Sequence, residues 1–124
     1  MAVRDFISRG MIEGEPEHLE RGRCIFRQGE EVSAFYLVTQ GSVAFADQAT
    51  GIDEQVIAPP DFLLGITDLL NDTYSFSAYT LEHTELIRIK KEAVQKALHE
   101  NPMIRLYLLK MMSWEASLTK TAFE

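Results

Sequence analysis

Between residues 16 and 89 a turn signal breaks the chain about every ten residues, a spacing too short for helix-containing crossovers. Gln28-Gly29-Glu30, Gln40-Gly41, Thr50-Gly51 and Pro59-Pro60 are the punctuation marks. The segments between them are β-rich: Cys24-Ile25-Phe26, Ala34 to Val38, Val43-Ala44-Phe45 and Gln55-Val56-Ile57. Asp47 to Asp53 reads as a hairpin loop, and Pro59-Pro60 ends the strand after it because proline cannot donate to a ladder. Tyr74 to Thr80 alternates small and aromatic residues, and Glu85 to Ile89 alternates polar and apolar ones. Short antiparallel strands packed as a sandwich or barrel-like roll satisfy this pattern; a βαβ sheet does not.

The periodicity changes after residue 89. Lys90 to Glu100 places Ala93, Val94, Ala97 and Leu98 on one helical face. Asn101-Pro102 supplies an N-cap and a first-turn proline for a second helix running to about Thr119. In that helix Ile104, Tyr107, Met111, Trp114 and Leu118 follow a coiled-coil seam, with Leu108, Met112 and Ala116 as a second apolar stripe. A monomer's surface helix needs one stripe, so two stripes suggest burial against the domain and against a second body. The candidate dimer face is Ile104, Tyr107, Leu108, Met111, Trp114 and Leu118; the alternative is a helix packed only on its own roll.

Charge narrows the function classes. The 124 residues carry a formal net charge of −7, and the pI near 4.9 argues against a nucleic-acid surface spread over the chain. No Lys or Arg lies between Arg27 and Arg88, whereas acids recur from Glu30 to Glu85. A buried phosphate wants a guanidinium, an ammonium or a helix N-terminus; this stretch offers backbone amides, hydroxyls and His83. The single cysteine, Cys24, excludes an internal disulfide and fits a reducing cytoplasm. Met1 to Gly10 lacks the apolar core of a signal peptide, and Met103 to Met112 is interrupted by Arg105 and Lys110, so no membrane segment is expected. With 46% apolar and 25% charged residues, the expectation is one soluble cytoplasmic domain over 1–124. Its parts are an N-terminal segment (1–15), a β-roll (16–89), a helix (90–100) and a dimerisation helix (101–122).

Four blocks carry a family resemblance: Gly22 to Glu30, Tyr36 to Val43, Gly65 to Leu70, and Ser77-Ala78 followed by Leu86-Ile87-Arg88-Ile89 and the two helices. Over roughly residues 19–119 the chain resembles the cyclic-nucleotide-binding domain of the catabolite activator (CRP/FNR) family. The resemblance implies a mainly β fold with C-terminal helices: a double-stranded β-helix, or jelly roll, of about eight strands closed by a dimerisation helix. It also implies a regulatory effector or sensor domain of a transcription regulator. No helix-turn-helix follows Glu124, so the DNA-binding part is expected to be missing or the chain to be a fragment, and this domain is expected not to touch nucleic acid.

The departures from the family decide the expected chemistry. The resemblance places the phosphate cassette at Leu64, Gly65, Ile66 and Thr67, with Phe76, Ser77 and Ala78 beyond it. Where the family has a ribose-binding glutamate and a phosphate-pairing arginine, this chain has Ile66 and Phe76. The approach Asp61-Phe62-Leu63-Leu64-Gly65 is also one residue longer than usual. Burying a phosphate against Phe76 without a countercharge costs several kcal/mol, which a cassette helix beginning near Ile66, contributing about 1 kcal/mol through its dipole, does not offset. Arg88 and Arg105 are the remaining cations that could approach. Cyclic AMP binding in the family manner is therefore not expected. Ile66 and Phe76 either fill the vacated pocket as core or line a small apolar ligand pocket for an unknown effector. A ligand-free dimerisation or scaffold domain is the alternative function.

No enzyme is expected, because no nucleophile–base pair or phosphate loop of the P-loop kind is present. A cupin-like enzyme would need histidines clustered on facing strands, a pattern not evident in this chain. His18, His83 and His99 show no paired ligand spacing, so no metal is expected. Cys24 reads as a small buried hydrophobe. No cofactor is expected; haem through His83 or Cys24 is the alternative kept open.

Overall fold

The computed structural model describes residues 3–47 and 61–123. A short helix α1 (Val3–Ser8) precedes strands β1 (Glu15–Leu19), β2 (Cys24–Phe26), β3 (Ala34–Gln40) and β4 (Val43–Ala46). Beyond residue 60 come β5 (Leu63–Leu64), a 3-10 turn (Ile66–Asp68), β6 (Ser77–Thr80) and β7 (Thr84–Lys90), then helices α2 (Lys91–Glu100) and α3 (Pro102–Phe123). All strand pairs are antiparallel, and they form two sheets, β1-β7-β3-β5 and β2-β6-β4. The chain is a jelly-roll domain, mainly β, with C-terminal helices. Seven strands are present among the described residues. The expected loop over Asp47 to Asp53, Asp47 apart, and the strand through Gln55-Val56-Ile57 lie outside them.

The elements follow from the patterning. Strand β3 reads Ala-Phe-Tyr-Leu-Val, and its near-continuous burial reflects a central position between β7 and β5. Phe26, Phe45, Phe76 and Tyr74 form an aromatic knot: Phe26 stacks on Tyr74 at 4.2 Å, and Phe76 meets Phe45 at 4.9 Å and Phe26 at 5.4 Å. The tight turn after β3 needs Gly41, whose φ is +108°; a Cβ there would stand 2.7 Å from the His83 carbonyl oxygen.

Strand β7 passes into α2 with no residue between them, Lys90 ending the one and Lys91 beginning the other. Asn101 caps α3 as its position suggested, its Oδ1 accepting from the Met103 amide at 2.9 Å. Arg105 turns back to donate from Nε and Nη2 to the Leu98 carbonyl at 3.0 and 2.8 Å, closing the end of α2. Phe6 of α1 packs edge-on against Tyr107 of α3 at 5.6 Å. Among the described residues no helix is long and apolar enough to cross a membrane.

Candidate functional site: a cassette closed by a buried carboxylate

Strand β5 delivers the chain to Gly65 by pairing Leu64 with Tyr36 and Leu63 with Leu37 of β3. Gly65 then adopts φ +87° and turns the backbone into the 3-10 turn. A Cβ at Gly65 would press on the Tyr74 ring at 3.3 Å, so a residue with a side chain is disfavoured by both conformation and space. The expected cassette helix is thus a single 3-10 turn, too short to build a helix dipole.

The Gly65 and Thr67 amides are already occupied. Glu115 of α3 is fully buried and aims its carboxylate at them. Its Oε2 accepts from the Gly65 amide at 2.8 Å, and its Oε1 accepts from the Thr67 amide at 3.0 Å and from Thr67 Oγ1 at 2.8 Å. Burial pushes the Glu115 carboxyl up to about 7; the hydrogen bonds from Thr67 and Gly65 oppose that rise, and the nearby charge of Asp68 adds to it. Asp68 is itself buried and ties the turn to the approach to β6, accepting from the Ser75 amide at 2.9 Å, Ser75 Oγ at 3.1 Å and Asn71 Nδ2 at 2.8 Å.

The other cassette positions are consumed by packing. Leu64, Ile66 and Ala78 are fully buried, and Phe76 lies in the aromatic knot. Ser77 Oγ accepts from the Gln28 amide at 2.9 Å, so that hydroxyl holds the turn after β2. Arg105 is committed to Leu98, and the Arg88 guanidinium is held by Tyr36, with Glu17 and Glu15 nearby.

Neither Glu115 nor Asp68 was among the residues that sequence reading selected. Glu115 had a signal: the stripe that the structure buries runs Ile104, Leu108, Met111 and Glu115, with Leu118 half-buried. It has seam spacing with an acid in an apolar position. The seam read from sequence took Trp114 instead, because hydrophobicity favours it.

That shift divides the six candidate dimer residues. Ile104, Leu108 and Met111 are buried by the chain's own roll, which corrects their assignment to a free face. Tyr107 and Leu118 are half-buried, and Trp114 is exposed at one edge while meeting Phe62 edge-on at 5.1 Å. The open apolar face is instead Met103 (65% exposed), Leu106 (66%) and Leu109 (56%), beside Trp114.

Cys24 is exposed, which corrects its reading as a buried hydrophobe. It opens a three-residue strand whose inward position is taken by Phe26, and its Sγ donates to the Phe26 carbonyl at 3.3 Å. Partial desolvation still raises the thiol's pKa, which disfavours a thiolate ligand for haem. A cleft of about 830 Å³ lies between the cassette turn and the two C-terminal helices, with Leu69, Leu98, His99, Arg105, Leu108 and Met112 in its walls and neither Ile66 nor Phe76 among them.

Residues 16–101 match the family model of the cyclic nucleotide-binding domain. The chain belongs to this family. It is 27% identical over 117 residues to the transcriptional activator protein anr of Pseudomonas aeruginosa, covering 93% of this chain and 48% of anr. The chain spans about half the length of the curated relatives it matches. Among solved structures, the sensor domain of the transcriptional regulator DNR from Pseudomonas aeruginosa superposes with a TM-score of 0.72 at 20% identity, over 88% of this chain and 80% of that one. The Thermus thermophilus catabolite activator protein gives 0.76 at 22% identity, over 94% and 56%. At these identities the two structures establish the fold.

Proposed function

We propose that this cyclic nucleotide-binding domain is the regulatory effector domain of a CRP/FNR-like transcription regulator, acting in the cytoplasm, whose cassette does not take cyclic AMP. One observation carries the reading: the Gly65 and Thr67 amides, which a bound anion would need, are satisfied by Glu115 from within the chain. A cyclic phosphate would have to expel a buried carboxylate and would then face Phe76 without a countercharge. An effector in this reading acts at the cleft between the turn, α2 and α3, not inside the roll.

The proposed assembly is a homodimer through the face of α3 that carries Met103, Leu106, Leu109 and Trp114. The exposure of three long apolar side chains along one helix is what supports it. This domain makes no nucleic-acid contact of its own in the proposal.

Isothermal titration calorimetry with cyclic AMP tests the reading. No saturable heat is expected up to about 1 mM nucleotide. Micromolar affinity would overturn it.

A ligand-free dimerisation or scaffold role is the second reading, favoured by the complete burial of Ile66 and near-complete burial of Phe76. A screen of apolar and anionic metabolites that leaves the melting temperature unmoved would select it over the effector domain.

A further inference from the structure

The segments His18-Leu19-Glu20 and His83-Thr84-Glu85 share the pattern His-x-Glu. Their separation in sequence hides a tight spatial relation. Strands β1 and β7 are antiparallel, with His18 opposite Glu85 and Leu19 opposite Thr84, which brings Glu20 beside His83. Residues two apart on a strand share a face, so two histidines and two glutamates gather on one patch at the sheet's β1 edge.

The geometry is close to that of a ligand set. The two imidazoles are stacked with centroids 5.9 Å apart. His18 Nδ1 lies 3.6 Å from Glu85 Oε1, and His83 Nδ1 lies 3.4 Å from Glu20 Oε1. One donor atom from each of His18, His83 and Glu85 falls within 4.8 Å of the others. We propose that His18, His83 and Glu85 bind a divalent transition-metal ion, with Glu20 orienting the His83 ring.

Tetrahedral zinc with bonds near 2.1 Å needs its donors about 3.4 Å apart. The three groups therefore need to close by at most about 1.4 Å. All three side chains are exposed enough to make that move by side-chain rotation, without disturbing the core. The backbone beneath them is fixed. Thr84 Oγ1 donates to the Glu82 carbonyl at 3.0 Å, and Thr80 Oγ1 donates to the Glu20 carbonyl at 2.5 Å. Two imidazoles with a carboxylate select zinc, copper or nickel over calcium or magnesium. The bound ion would cross-link β1 to β7, its neighbour in the sheet.

Zinc titration of the full chain by calorimetry tests this, with His99 of α2 as the internal control. One ion per chain is expected, with a Kd on the order of 10 μM. His18→Gln and His83→Gln should each weaken binding at least tenfold, and His99→Gln should leave it unchanged. Wild-type protein titrated with Co²⁺ provides a second measurement: the imidazole NMR signals of His18 and His83 should broaden before that of His99. No binding below about 1 mM, or binding and broadening that follow His99, would overturn the site.

Discussion

Thr67 and Glu115 are joined twice, the Thr67 amide at 3.0 Å and its hydroxyl at 2.8 Å both donating to Glu115 Oε1. Burial of Glu115, which these two bonds only partly offset, makes stability respond to pH in an unusual direction. The folded carboxyl titrates at about 7 against an ordinary 4.5, so the native state holds the proton more tightly than the unfolded chain. Its contribution is fully present below 4.5 and is lost as pH rises through about 7. The shift corresponds to a change on the order of 3 kcal/mol. Urea denaturation at pH 5 and pH 8 should show the higher midpoint at pH 5, and Glu115→Gln should flatten the difference.

Phe76 is a core residue, 2% exposed. Phe76→Ala should cost about 3–5 kcal/mol, because the cavity is walled by Phe26 and Phe45. Equilibrium unfolding measures the loss, and a change below about 1 kcal/mol would show that the knot repacks freely.

The exposed face of α3 separates assembly from folding. Leu106→Glu and Leu109→Glu change open positions and should keep the native circular dichroism while converting a dimer to a monomer in analytical ultracentrifugation. Met111→Glu puts a charge at a position 5% exposed within the same chain and should instead destabilise the domain by roughly 3 kcal/mol or more.

Gly41 and Gly29 both have positive φ, but they differ in the space around them. A Cβ at Gly41 meets Thr84 Oγ1 at 2.5 Å and Thr84 Cα at 2.7 Å, whereas nothing lies within 4 Å at Gly29. Gly29→Ala should cost about 1 kcal/mol from conformation alone. Gly41→Ala should exceed it by at least about 1 kcal/mol, and paired thermal melts decide whether it does.

The architecture was legible because local signals set it: glycine turns space the strands, and Asn101-Pro102 starts α3. The site was less legible because its partners come together only through tertiary contacts. Glu115 reaches Gly65 across fifty residues, and no local rule places an acid rather than Trp114 on the buried stripe. The same limit hid the histidine pair. His18 and His83 have no ligand spacing along the chain, and the β1–β7 register creates it. Cys24 was misjudged because strand membership does not say which face an edge residue presents.

The direct passage of β7 into α2 leaves no slack where the sheet meets the helices. A linker of even a few residues would absorb a twist of the sheet; a junction between Lys90 and Lys91 hands that rotation on as torque. The roll and the helical arm are therefore joined like the two limbs of a crank, and a displacement at the end of β7 carries the first residue of α2 with it through the backbone.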